Sequence, residues 1–150
     1  MKIATSYFYQ IRHFKPWMIP VSTALSDPFW YQCADGEYYI DKRGVVNGLR
    51  YEPLTVQGQL HCECPCARKD ELKGNCSFAK NYELLLEFAV DKERTLKAFN
   101  FCADKFTREL NLKEEPIIVL MVYEACSNPC SERYALQKFF NCKELEYPII

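Results

Sequence analysis

The sequence has no run of eighteen apolar residues, no excess of charge of one sign and none of the common nucleotide-binding or hydrolase motifs. Without such a run it contains no candidate membrane span. Its 19 basic and 20 acidic side chains leave a formal charge of −1, so no global field draws the chain towards nucleic acid or an anionic membrane. The lack of GxGxxG, P-loop, GxSxG and HExxH patterns removes the usual dinucleotide, nucleotide, serine-hydrolase and zinc-protease interpretations.

The amino-terminal segment also lacks the apolar core and the small-residue cleavage site of a secretory signal, so we expect a cytoplasmic protein. The nine cysteines fit this expectation as reduced thiols, because their number is odd and a chain of 150 residues can bury a core without disulfide bridges. With 49% apolar residues and no repeat, the composition predicts one ordered domain over residues 1–150.

Apolar runs rich in β-branched and aromatic residues predict strands at 3–8, 18–24 and 116–123, and residues 48–54 are a fourth candidate. Pro20 lacks an N–H, so we expect it near the start of its strand or in an edge strand. The run at 116–123 is unbroken, which is typical of a central strand that is covered on both faces.

Apolar residues recur at helical spacing in 76–90, in 92–110 behind the predicted N-cap Asp91, and in 129–142 behind Asn128 and Pro129. Strands separated by helices imply parallel pairing, so the predicted fold class is α/β, with a mostly parallel three-layer sheet flanked by helices. In open sheets of this class, ligands bind beyond the carboxyl ends of the strands.

The turn at residues 123–133 brings reactive side chains to one such strand end. Cys130 is a candidate thiolate nucleophile, because the amide end of a helix lowers the pKa of a thiol held there. Glu124 is a candidate acid or base, and Arg133 is a candidate clamp for an anionic group. A helix cap beside a buried cysteine explains the same residues without catalysis. Six residues lie between Cys126 and Arg133, which is one more than lie between the cysteine and the arginine of the tyrosine-phosphatase loop.

Other strand ends add polar side chains to this predicted site. Ser6 and Tyr7 close the first strand and Ser22 closes the second, while Ser131 lies in the strand-to-helix segment at residues 123–133. Because the carboxyl ends of parallel strands share one edge of a sheet, we take these four as candidate substrate-binding residues.

Residues 55–76 show no periodicity and form the longest predicted loop. Four of the cysteines lie within fifteen residues of this loop: Cys62, Cys64, Cys66 and Cys76. Four thiolates at this spacing can close a tetrahedral zinc site that orders the loop, with His61 or Cys33 as substitute ligands and an iron–sulfur cluster less favoured. The alternative is a set of free thiols or two incidental bridges.

Aromatic side chains are frequent in the first forty residues. The set comprises Tyr7, Phe8, Tyr9, Phe14, Trp17, Phe29, Trp30, Tyr31, Tyr38 and Tyr39. We expect most of them to fill the core, although rings of this kind also stack on nucleic-acid bases.

Several segments together resemble the domain-of-unknown-function 488 family of small bacterial and phage proteins. The matching residues run through Thr5-Ser6-Tyr7-Phe8, Ile19-Pro20-Val21-Ser22, Gly48-Leu49-Arg50, Cys76-Ser77-Phe78 with Tyr82, Ile118-Val119-Leu120-Met121-Val122-Tyr123-Glu124 and Cys130-Ser131-Glu132-Arg133. Where many relatives carry a cysteine and a histidine, this chain has Val122 and Ser131, which weakens a thiol–histidine mechanism. The resemblance implies an α/β fold with a shared site at the strand ends.

Two functional hypotheses follow from these residues. In the first, the strand-end site binds or modifies a phosphate-bearing nucleotide or nucleic acid. In the second, the chain is a non-catalytic interaction module whose cysteine loop is held by zinc, as a phage or bacterial regulator would use.

Overall fold

The computed structural model describes residues 1–34, 36–55, 77–123 and 132–146, with the backbone alone for 77–79. Its strands are β1 (Lys2–Tyr7), β2 (Met18–Ser22), β3 (Tyr39–Ile40), β4 (Val46–Asn47), β5 (Ile117–Val122) and β6 (Lys143–Glu144). Its α-helices are α1 (Ser77–Ala89), α2 (Lys92–Glu109) and α3 (Arg133–Phe140), and 3₁₀ helices span Phe8–His13 and Glu52–Leu54.

Four strands form one parallel sheet in the order β2-β5-β1-β6. This arrangement confirms the predicted α/β class and the central position of β5, which pairs with β1 on one side and with β2 on the other. Pro20 lies in the edge strand β2, opposite Val119. In an edge strand the missing N–H of proline does not remove a hydrogen bond between central strands. Strands β3 and β4 form a separate antiparallel hairpin.

The sheet separates two apolar clusters. Alternate residues of β5 point to opposite faces, so Leu120 packs into the cluster that contains the α-helices, and Met121 packs into the other. All three α-helices contribute to the first cluster, for example through Phe99 of α2 and Leu136 of α3. The second face is covered by the Phe8–His13 helix and by buried loop residues. The three predicted layers are present, and within the described ranges the outer layer on this second face contains the Phe8–His13 3₁₀ helix but no α-helix.

The predicted helices agree closely with α1 and α2. Asp91 caps α2 as expected, since its Oδ1 accepts the backbone N–H of Arg94 at 3.0 Å. The predicted cap of the last helix, Asn128 with Pro129, lies outside the described residues. Among the helices that the structure describes, none is both long and apolar enough to cross a bilayer.

One predicted strand is wrong. Residues 48–54 give only an isolated parallel bridge between Arg50 and Ser22, after which Glu52–Leu54 turns into a 3₁₀ helix. Pro53 favours this outcome, because it cannot donate to a ladder and suits the first turn of a helix. Strands β3, β4 and β6 were missed, because two residues are too few to show a periodic pattern.

Candidate functional site

The neighbouring parallel strands β1 and β5 end side by side at the carboxyl edge of the sheet. After β1 the chain enters the Phe8–His13 helix, whose Phe8 and Ile11 pack on the face away from the α-helices. The next described element after β5 is α3, whose Leu136 and Phe140 pack on the opposite face. Where adjacent parallel strands send their connections to opposite faces, a crevice forms outside their carboxyl ends. This edge is therefore the expected ligand position of the fold.

The predicted strand-end residues divide between the two faces of the sheet. Ser6 of β1 and Ser22 of β2 both lie opposite Met121, so these three residues form one row on the second face. Tyr7 pairs with Val122 and points to the α-helical face, because neighbouring residues of a strand alternate. The structure thus brings Ser6 and Ser22 to one face and Tyr7 to the other.

On the α-helical face, Arg133 joins Tyr7 in a buried polar cluster, which we call the Arg133 cluster. The Arg133 side chain is fully buried, with its Cζ 5.4 Å from the centroid of the Tyr7 ring and its Nη1 3.4 Å from Oε2 of Glu144. Thr5 Oγ1 donates to Glu144 Oε1 at 2.7 Å, and Gln137 Nε2 donates to Thr5 Oγ1 at 2.8 Å. The cluster links β1, α3 and β6.

Glu144 is the titratable carboxylate of the Arg133 cluster. Burial raises the pKa of Glu144 above its usual range, and the Arg133 charge and the Thr5 hydrogen bond only partly offset that effect. A carboxylate in this position accepts a proton more readily than an exposed one.

Tyr7 supplies a hydroxyl group at the edge itself. Gln10 Nε2 donates to Tyr7 Oη at 2.6 Å, which leaves the proton of that hydroxyl for another acceptor. Within the described ranges no acceptor for this proton is found. The half-buried Tyr7 can therefore donate to an oxygen atom of a ligand in the crevice.

On the second face, Ser22 belongs to another polar cluster, which we call the Arg50 cluster. Ser22 Oγ donates to Asp27, and Arg50 Nη1 donates to the same carboxylate oxygen at 2.7 Å. The guanidinium of Arg50 also reaches the Ala24 carbonyl at 2.9 Å and Glu52 Oε1 at 3.0 Å. Asp27 is only 4% exposed, so this arrangement fastens the segment after β2 to the bridge at Arg50.

Sequence reasoning missed Asp27, Arg50 and Glu144 as partners of the predicted residues. Arg50 and Asp27 are 23 positions apart, and Thr5 and Glu144 are 139 positions apart. No local spacing connects residues at such separations. A signal was nevertheless present, since Gly48-Leu49-Arg50 is one of the segments that carry the family resemblance.

The remaining predicted residues lie outside the described part of the chain. Glu124, Cys130 and Ser131 follow β5 in the sequence, and the proposed zinc ligands Cys62, Cys64, Cys66 and Cys76 precede α1. The predictions for these residues therefore stay predictions. In the ranges that are described, Cys33, Cys102 and Cys142 are free thiols, and no three metal-ligating side chains come together.

No protein-family model, curated protein or solved structure matches this chain.

Proposed function

We propose that the crevice at the carboxyl ends of β1 and β5 binds a phosphate-bearing nucleotide or nucleic acid and acts on it. In this proposal Glu124 is the acid or base and Cys130 is the nucleophile, while Tyr7 and Ser131 contact the ligand. The activity is cytoplasmic, and the protein is a bacterial or phage member of the family that it resembles.

The sheet topology at the carboxyl ends of β1 and β5 is the observation that carries the proposal. Strands β1 and β5 are parallel neighbours, and the elements that follow them pack on opposite faces of the sheet. This is the position at which open α/β sheets bind nucleotides and related ligands. In the sequence Glu124 comes two residues after Val122, the last residue of β5.

The chemistry of the described residues favours an anionic ligand. Tyr7 offers a hydroxyl proton at the edge, and the buried Arg133 keeps a permanent positive charge under the Tyr7 ring. Because Arg133 is fully buried and paired with Glu144, its role is to position the Tyr7 ring. Ser6 and Ser22 are buried as well, so they pack beneath the carboxyl edge on the second face of the sheet.

Binding of fluorescein-labelled twelve-nucleotide DNA and RNA, and of nucleoside monophosphates, tests the proposal. Tyr7→Phe removes one hydrogen bond to a charged group and should weaken binding about 10- to 100-fold. Glu124→Gln or Cys130→Ala should abolish binding or turnover and leave the melting temperature within a few degrees.

The matched control is Tyr51→Phe, which removes the hydroxyl that contacts Thr95 Oγ1 at 3.2 Å on α2. It should bind the same probes as the wild type does. Equal binding by Tyr7→Phe, Glu124→Gln and the wild type would refute the proposed site.

The zinc-held interaction module stays a prediction, since all four proposed ligands lie in residues 56–76. Protein purified without oxygen and without chelators should contain one equivalent of zinc by elemental analysis. A chelator should then remove partner binding. Protein that contains no zinc under these conditions contradicts the prediction.

A further inference from the structure

A pocket of about 320 Å³ lies between the Phe8–His13 helix and the β3–β4 hairpin. Three aromatic side chains in its wall are exposed, Tyr9 by 60%, Trp30 by 49% and Tyr39 by 39%. By contrast, Phe14 and Tyr31 from the same part of the chain are buried in the core. The aromatic side chains of the first forty residues therefore form two groups. One group packs in the core, and the other forms a concave surface of rings that face solvent.

The rings of this pocket are held in place before any ligand arrives. The Tyr39 hydroxyl donates to the backbone carbonyl of Trp30, which ties the hairpin to the segment after β2. The Trp30 ring meets buried Tyr31 edge to face, with ring centroids 6.2 Å apart. Preorganised rings lose little conformational entropy when a flat ligand stacks on them.

The pocket carries a positive charge that the described residues do not neutralise. Arg12 stacks on Tyr9, with its Cζ 3.8 Å from the ring centroid, and no carboxylate of the described ranges forms an ion pair with it. Arg43 instead pairs with Asp41 at 3.0 Å. Burial acts to raise the pKa of Asp41, but hydrogen bonds from Val45 and Arg43 outweigh it and lower that pKa, so this pair is neutral overall. Arg12 is left to attract an anion.

The pocket lies beside the strand-end crevice. Phe8 lines the pocket, and its ring meets that of Tyr123 edge to face at 6.0 Å between centroids. Tyr123 comes directly after β5 and before Glu124. The contact between Phe8 and Tyr123 therefore places the pocket next to the carboxyl end of β5.

We infer that this pocket binds a nucleobase, which stacks on Trp30 and Tyr9 while Arg12 contacts the adjoining phosphate. Its volume is near the lower end of ligand sites, about 300–1,000 Å³, which suits one base with its sugar. Stacking on exposed aromatic rings beside a cation is how proteins hold single-stranded nucleic acid. Aromatic grooves also bind proline-rich peptides, but such peptides supply no anion for Arg12. The inference rests on the proposed function for its ligand class.

Quenching of tryptophan fluorescence reads the stacking directly. The chain has two tryptophans, so Trp17→Phe leaves Trp30 as the sole reporter. Titration with the oligonucleotide dT12 or with dTMP should quench its emission. Much tighter binding of dT12 assigns the pocket to single strands, and similar affinities assign it to free nucleotides; either result supports the inference. No quenching by either probe at millimolar concentration overturns it.

Variants in the wild-type background give a second, independent measurement. Trp30→Ala should weaken the binding of fluorescein-labelled dT12 about 10- to 100-fold, as expected for the loss of one stacked base. Arg12→Gln should reduce the slope of log affinity against log salt by about 0.7, the value for one phosphate contact with a single strand. A slope and an affinity equal to those of the wild type would overturn the inference.

Two exposed phenylalanines provide matched controls. Phe29 is 93% exposed next to Trp30 but does not line the pocket, and Phe101 is 71% exposed on α2. Phe29→Ala and Phe101→Ala should bind dT12 within twofold of the wild type. If either control loses as much affinity as Trp30→Ala, the rings act through nonspecific contact and the inference fails.

The same probe separates this inference from the proposed function. Loss of dT12 binding in Trp30→Ala, with normal binding in Tyr7→Phe and Glu124→Gln, supports the base pocket and refutes the crevice site. The reverse pattern supports the crevice site and refutes the base pocket. Binding of a proline-rich peptide without binding of dT12 or dTMP also refutes the base pocket.

Discussion

The Arg50 cluster and the Arg133 cluster each hold an arginine near the carboxyl edge of the sheet, but they differ in how the charge is satisfied. Arg50 is 22% exposed and donates to the carboxylates of Asp27 and Glu52 at 2.7 and 3.0 Å. Arg133 is fully buried, and its ion pair with Glu144 is longer, at 3.4 Å. The first cluster is a closed clamp, whereas the second combines buried charge with a carboxylate that burial makes easier to protonate.

Under the proposed function, the difference separates a structural role for the Arg50 cluster from a functional role for the Arg133 cluster. Hydrogen bonds that satisfy a guanidinium from several directions fasten the loops that supply the acceptors. A buried guanidinium beside a carboxylate of raised pKa is costly to maintain, and such pairs occur often at functional sites. Mutations in the Arg50 cluster should therefore act on folding, and mutations in the Arg133 cluster should act on binding and on pH dependence.

The largest effect is expected for Arg50→Met. It removes the cation beside Asp27, which is only 4% exposed, and leaves that carboxylate buried without its ion pair. The free energy of unfolding should fall by about 3–5 kcal/mol, as for other broken buried pairs. Urea denaturation followed by circular dichroism measures this change. A loss below about 1 kcal/mol would show that the Arg50 cluster is not a clamp.

Arg133→Met should cost less, about 1–3 kcal/mol at pH 7. Its partner Glu144 is partly exposed and already has a raised pKa, so it can take up a proton when the guanidinium is lost. A carboxyl group with a raised pKa in the folded protein contributes stability below its unfolded pKa of about 4.3, and that contribution is lost as pH rises. The loss of stability in Arg133→Met relative to the wild type should therefore shrink as pH falls from 7 towards 5, because Glu144 then takes up a proton. A deficit that does not change with pH contradicts this account.

Glu144→Gln should change the free energy of unfolding by less than about 1 kcal/mol. The amide oxygen still accepts from Thr5, and the substitution avoids ionising a half-buried carboxylate. It should also flatten the decline of wild-type stability as pH rises above about 4.3. Thermal unfolding of both proteins between pH 4 and 8 tests this. An unchanged pH profile would show that Glu144 is not the titrating group.

The smallest effect concerns Cys142, next to the Arg133 cluster. Burial, with a further contribution from the Glu144 charge, raises the pKa of Cys142 to about 11. The scarcity of thiolate outweighs its greater nucleophilicity, so iodoacetamide should react about 20-fold more slowly than with an ordinary thiol at pH 7.5. Peptide mass spectrometry measures the rate, and Glu144→Gln should increase it. Reaction as fast as that of a free thiol would place Cys142 at the surface.

Much of the scaffold was predictable because its signals are local. The unbroken apolar run of β5 indicated a central strand, and the helical spacing of Phe99, Ala103 and Phe106 indicated α2. Periodicity of this kind depends only on neighbours in the chain, so it survives without knowledge of the fold. The strand proposed at 48–54 failed because its Pro53 favoured a 3₁₀ turn over a ladder.

The candidate site was less predictable. Ser6 and Tyr7 were grouped because both close β1, yet strand alternation sends them to opposite faces. Likewise the aromatic residues at the amino end gave no sign of which rings would be buried, as Phe14 and Tyr31 are, and which exposed, as Trp30 is. Those outcomes depend on packing between segments that are distant in the chain.

By itself the sequence determined the α/β class, the central position of β5 and the positions of Ser6, Tyr7 and Ser22 at strand ends, because apolar spacing and turn chemistry act over a few residues. Only the tertiary structure decided that Arg50 meets Asp27, that Arg133 meets Glu144 and Tyr7, and that Trp30 opens into a pocket. These contacts arise from strand register and from the packing of both faces of the sheet, which no local pattern records.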